Sequence, residues 1–117
     1  MFTFAHVEIP VTDMEKAVTF YAPLFNWKLS KLFGDDYLLI STAEGEYIGG
    51  LSKIREMPEI SGFHNYVEVE DIEITLAKAE RLGGRVMRLK TELPEGFGHY
   101  AIVQSPDGYS IGIWTKS

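Results

Sequence analysis

The sequence has no cysteine among its 117 residues. That excludes disulfides, thiolate metal ligands and a cysteine nucleophile. Positive charge is also scarce: 11 Lys and Arg stand against 17 Asp and Glu, for a formal net charge of −6. Nucleic-acid binding depends on Lys and Arg neutralising phosphates, and anionic membranes attract the same residues, so neither is an expected partner. No apolar stretch approaches the roughly 20 residues of a membrane span. The opening MFTFAHVEIP lacks the charged start and long apolar run of a signal peptide. No G-x-G-x-x-G or other phosphate-cradling loop occurs. Ser105 and Ser110 have no evident histidine–carboxylate partners, so a hydrolase triad is unsupported. What remains is an ordinary composition, 45% hydrophobic and 24% charged, in a chain long enough for one domain with one core. A cytoplasmic protein is expected.

The chain reads as two similar halves. A first module over about residues 1–54 and a second over about 62–117 flank a linker near 55–61. Each half opens with an alternating strand, Phe4–Ile9 or Phe63–Val69, that runs into an aspartate, Asp13 or Asp71, placed to cap a helix. Thr12 with Glu15 offers an alternative capping box one residue earlier. Met14, Ala17, Val18, Tyr21, Leu24 and Phe25 form one apolar helical stripe. Ile72, Leu76, Ala79 and Leu82 form another, with Gly83-Gly84 as its stop. Three strands are expected after each helix: Trp27–Phe33, Tyr37–Ser41 and Tyr47–Ser52, then Arg85–Leu89, His99–Gln104 and Ser110–Thr115. Ser105-Pro106-Asp107-Gly108 suits a type I turn. His6 and His64 lie 58 positions apart, as do Asp13 and Asp71. Residues 45–53 align without a gap on residues 108–116, matching Gly45, Ile48, Gly49 and Lys53 to Gly108, Ile111, Gly112 and Lys116. Duplication explains this common order better than chance.

The segments His6-Val7-Glu8-Ile9-Pro10, Asp13, Phe20-Tyr21 and Leu24-Phe25-Asn26-Trp27 resemble the opening of lactoylglutathione-lyase-related proteins. Val69-Glu70-Asp71-Ile72, Leu82-Gly83-Gly84-Arg85-Val86 and Ser105-Pro106-Asp107-Gly108 resemble their second module. The resemblance covers essentially the whole chain. It is to the glyoxalase/bleomycin-resistance/extradiol-dioxygenase superfamily, the vicinal oxygen chelate fold. It implies an α+β domain of two paired βαβββ modules whose curled sheets surround a central cavity, and it implies a homodimer.

Metal-dependent members of that superfamily take one ligand from the first and one from the last strand of each module. Carried over by resemblance, those positions are His6, Gly49, His64 and Gly112. Both histidines are present, but glycine stands where glutamate is usual. A slip of one residue, to Gly50, leaves the chemistry the same. Two imidazoles fall short of the three protein ligands of a typical catalytic zinc site, and oxygen-preferring cations are served worse. The expectation is therefore no metal cofactor; a divalent nickel, zinc, iron or manganese ion on His6 and His64 is the alternative.

Glu8 shares a strand face with His6, whereas Glu68 is expected to need a bulge to join His64. Glu8, His6 and His64 are the candidate catalytic residues, Glu8 as a general base if its surroundings are enclosed. His6, Glu8, Gly49, His64, Gly112 and Trp114 are the candidate substrate-binding residues, with Trp114 able to stack on a ligand. His99 is expected at the surface. The leading reading is a metal-free protein that binds a small organic molecule in the cavity between its modules. The rivals are a metal-dependent lyase, isomerase or dioxygenase, in which the ion acts as a Lewis acid, and a non-catalytic drug-sequestering or ligand-sensing protein.

Overall fold

The computed structural model describes residues 5–31, 34–57 and 65–117. The chain divides into two compact units, Met1–Met57 and Pro58–Ser117. Among the described residues each holds one α-helix and one four-stranded sheet, an α+β arrangement.

The first unit runs β1 (Val7–Val11), α1 (Met14–Phe25), β2 (Lys28–Lys31), β3 (Tyr37–Ser41) and β4 (Tyr47–Lys53). Its sheet has the order β1-β4-β3-β2, with β1 parallel to β4 and the other pairs antiparallel. Asp13 is the N-cap of α1: its backbone is extended and its Oδ1 accepts from Lys16 N at 3.1 Å, so the capping box at Thr12 is not the one used. Asn26 ends the helix in the left-handed region (φ 55°), where its short polar side chain is tolerated. The buried face of α1 carries Ala17, Phe20, Tyr21 and Leu24. Tyr21 stacks on Trp27 with ring centroids 6.0 Å apart, and Trp27 lies 4.8 Å from Phe25. Such aromatic pairs contribute about 0.5–1.5 kcal/mol beyond their burial. The sheet adds Ile9, Val11, Leu38, Ile40 and Leu51 to the same core, all on one sheet face by register.

The second unit runs β5 (Tyr66–Glu68), α2 (Ile72–Arg81), β6 (Arg85–Glu92), β7 (His99–Gln104) and β8 (Ser110–Thr115). The order β5-β8-β7-β6 repeats that of the first unit, again with its opening strand parallel to its closing one. Asp71 Oδ1 accepts from Ile74 N at 2.9 Å and caps α2. Gly83, at φ 93°, closes the helix, and Gly84 N donates to Ala79 O. Gly108 N donates to Ser105 O at 2.9 Å, the bond that defines the turn expected there. The buried face is Ile72, Leu76, Ala79, Ala101, Val103, Ile111 and Ile113.

The opening strands are shorter than alternation predicts: β1 starts at Val7, and β5 spans only Tyr66–Glu68. β6 runs on to Glu92, three residues past the expected end, with two register shifts against β7. Among the described residues no helix is long and apolar enough to cross a membrane.

Candidate functional site

Opposite the buried face, the first sheet carries a polar cluster. His6 and Glu8 alternate with the buried Ile9 and Val11, so they project from the other side of β1. The parallel register sets Glu8 beside Gly50, and the antiparallel one sets Leu39 beside Gly50 and Tyr37 beside Ser52. Tyr37 therefore shares this face. His6 Nε2 lies 2.5 Å from Tyr37 Oη, the two rings are nearly parallel (13°), and Nε2 is 3.7 Å from Glu8 Oε2. Burial pushes the Tyr37 phenol above its ordinary pKa. Glu8 pushes it further by accepting its hydrogen bond and by its negative charge. A phenol that donates its hydrogen bond to Glu8 leaves its oxygen to accept from His6, which places the imidazole proton on Nε2.

The second sheet carries an aromatic counterpart. Tyr66 pairs with Gly112, Glu68 with Trp114, Ile102 with Gly112 and Tyr100 with Trp114. Arg88 of β6 pairs with Ile102. Tyr66 and Tyr100 meet edge to face at 6.2 Å, and the Arg88 guanidinium lies 5.9 Å from the Tyr100 ring centroid. Trp114 is half-buried, and its Nε1 donates to Phe97 O at 2.8 Å.

These registers revise several expectations. By offset from the opening strands, Glu8 corresponds to Tyr66, so the counterpart of Gly112 is Gly50, not Gly49. The gapless alignment slipped because β4 has a bulge: Ile40 pairs with Gly49 but Ser41 with Tyr47, leaving Ile48 as the extra residue. Gly49 faces no open space; a Cβ there would collide with the Val7 carbonyl. Nor do Gly50 and Gly112 leave room. A Cβ on Gly50 would strike the Tyr37 phenol, and one on Gly112 would strike the Tyr66 ring. In each sheet a tyrosine covers the place where the resemblance implies a glutamate. Tyr66–Glu68 pairs regularly with Gly112–Trp114, with no bulge in that span. His64, Phe4, Phe33 and Phe63 lie outside the described residues. His99 is half-buried, and its Nδ1 has no hydrogen-bond partner among the described residues. Tyr37, Tyr66, Tyr100 and Arg88 were not among the candidate residues. Only the strand register, which sequence parity alone does not supply, brings them to these faces.

A profile of the glyoxalase/bleomycin resistance protein/dioxygenase superfamily matches residues 3–113. The chain belongs to that superfamily. A glyoxylase-like domain-containing protein of Didymella fabae is 33% identical over 117 residues, covering 94% of this chain and 91% of its own. The fold is similar to that of the fosfomycin resistance protein FosX from Listeria monocytogenes, with a TM-score of 0.77 at 14% identity over 98% of this chain and 93% of the other. An E126Q mutant of FosX was solved with Mn(II) and 1S,2S-dihydroxypropylphosphonic acid (TM-score 0.78, 15% identity, 97% and 90% coverage). A superfamily enzyme from Burkholderia phytofirmans PsJN has a TM-score of 0.77 at 14% identity, covering 97% of this chain and 98% of the other.

The described side chains do not fit a metal ion of the kind that metal-dependent members of the superfamily hold. Gly50 and Gly112 have no side-chain donor, and the aromatic rings over them block the approach that a donor would need. No group of three His, Cys, Asp or Glu residues able to hold a metal comes together among the described residues.

Proposed function

We propose that this superfamily member binds a small organic molecule without a metal ion. We propose further that any chemistry it performs is proton transfer at His6, Tyr37 and Glu8. The observation that carries this reading is the convergence of those three side chains above Gly50. Burial and Glu8 keep the phenol protonated, so on ligand binding Tyr37 can exchange its hydrogen bond to Glu8 for one to an oxygen that gains negative charge. With Nε2 protonated, Nδ1 of His6 is the lone-pair nitrogen, suited to take a proton. His64 stays a candidate on the strength of the repeat. The metal-dependent lyase, isomerase and dioxygenase readings ask for donors that glycine lacks. A purely sequestering or sensing role would use the same surface without turnover.

The test is a fragment screen by NMR on protein purified without chelators and then measured with and without EDTA. Elemental analysis should find far less than one nickel, zinc, iron or manganese ion per chain. Ligands should bind equally in EDTA, perturb the His6 and Tyr37 resonances, and weaken on Tyr37→Phe. Ligands that bind only with added metal, or that never perturb this cluster, would refute the proposal.

A further inference from the structure

We propose that the second sheet's aromatic face is a binding subsite for a flat aromatic carboxylate. This rests on the reading that the chain binds a small organic molecule. The row across the sheet is Tyr66, Gly112, Ile102 and Arg88, with Tyr100 in the next row. Because Gly112 has no side chain, the Tyr66 ring lies against the sheet in the space a Cβ would occupy. Tyr66 is nevertheless 52% exposed. The result is a flat ring with surface left to cover, the kind of platform on which another π-system stacks. Two steps, of 6.2 Å and 5.9 Å, lead from this ring through Tyr100 to the Arg88 guanidinium. A flat two-ring ligand with one carboxylate offers a stacking face and an anionic end to these groups.

Charge fixes which end of the ligand goes where. Among the described residues neither salt bridge involves Arg88: the two are His6–Glu8 and Lys31–Asp35. The Arg88 guanidinium, held over Tyr100, keeps its planar fork of donors for a carboxylate. Glu68, two residues from Tyr66 on the same face, repels a negative charge at the opposite end. The ligand's ring therefore sits toward Tyr66 and its carboxylate toward Arg88. In a chain of net charge −6, an arginine over an aromatic ring is a specific device, since the general field opposes an anion.

The probe is 2-naphthoate, titrated into the intact protein by calorimetry and by 1H NMR. Saturable binding is expected, with 2-naphthamide and cyclohexanecarboxylate each about tenfold weaker, the scale of one charge-assisted hydrogen bond or one aromatic stack. Arg88→Gln should lower 2-naphthoate to the affinity of 2-naphthamide and leave the amide unchanged. Tyr66→Leu should weaken both aromatic ligands. Denaturation curves matching wild type would show that both variants are folded. If a variant is misfolded, intermolecular NOEs from naphthoate to Tyr66 and Tyr100 in the wild-type protein decide instead. The proposal is overturned if 2-naphthoate does not saturate, if it binds Arg88→Gln unchanged, or if its contacts map elsewhere. Metal-free fragments that bind at His6 and Tyr37 alongside a failure of naphthoate would sink this subsite alone. Failure of every organic ligand in EDTA would sink the underlying reading.

Discussion

Gly49 and Gly50 are neighbours on one strand, yet replacing each with alanine should have very different consequences. A Cβ on Gly49 would overlap the Val7 carbonyl and lie 2.9 Å from Val7 C and 3.2 Å from Val7 N. These are backbone atoms of the paired strand, so β1 and β4 must move apart. The strands are joined over five residue pairs, Val7–Val11 with Gly49–Lys53, and bring Ile9 and Leu51 to the core. Losing one or two ladder bonds costs about 1 kcal/mol each, and straining a packed core costs about 1–3 kcal/mol more. Gly49→Ala should therefore lose about 2–5 kcal/mol, a large part of the roughly 5–15 kcal/mol that holds a domain. The three atoms nearest the Cβ of Gly50→Ala all belong to the outer end of the Tyr37 side chain, with Cε1 at 2.7 Å. The ring can swing outward. The variant then forfeits the hydrogen bonds to His6 and Glu8, about 1 kcal/mol each, offset in part by the lower entropy of the unfolded alanine chain. A net cost near 1 kcal/mol is expected. Urea denaturation measures both. In a Tyr37→Ala background the cost of Gly50→Ala should vanish, while that of Gly49→Ala should stay. A Gly49→Ala variant within 1 kcal/mol of wild type would refute the reasoning, as would a Gly50→Ala cost that persists after the ring is removed.

Three further expectations follow from particular contacts. Asp13→Ala and Asp71→Ala should each cost about 1 kcal/mol, because each removes the acceptor for one free helix N–H; since the helices are separate, the double variant should show the sum in chemical denaturation. The phenols of Tyr37 and Tyr109 are held above their ordinary pKa of about 10, Tyr37 by burial and then by Glu8, and Tyr109 by burial against an opposing hydrogen bond from Asn65. Above that ordinary value the unfolded chain has lost protons that the folded chain keeps, so stability should fall as pH rises from about 10 through the raised pKa values. Tyr37→Phe should flatten that fall in denaturation curves taken across the alkaline range; an unchanged slope would show that Tyr37 does not carry it. We also propose a homodimer: Met87 and Leu89 are exposed on the edge strand β6 and give it apolar surface to cover. Light scattering should give about twice the 13.2 kDa chain mass, and the mass of a single chain at tens of micromolar would count against it.

By itself the sequence determined the elements, because their signals are local. Asp13 and Asp71 mark helix starts, Gly83-Gly84 marks a stop, and apolar residues at helical spacing mark the buried faces of α1 and α2. A capped amphipathic helix needs nothing beyond its own segment to be recognised. The resemblance of its motifs also pointed to the superfamily, and parity placed His6 and Glu8 on one strand face. The tertiary structure decided what those residues meet. One bulge at Ile48 moved the equivalent of Gly112 from Gly49 to Gly50, and no repeat alignment reports a bulge. Tyr37 reaches His6 across 31 positions, from a strand, β3, that is not paired with β1 but with its neighbour β4. Likewise Tyr66, Tyr100 and Arg88 come from three separate strands. Sequence periodicity gives each strand a face. Which strand lies beside which, and in what register, is set by long-range hydrogen bonding and packing, and that pairing turned two empty glycine positions into two tyrosine-covered ones.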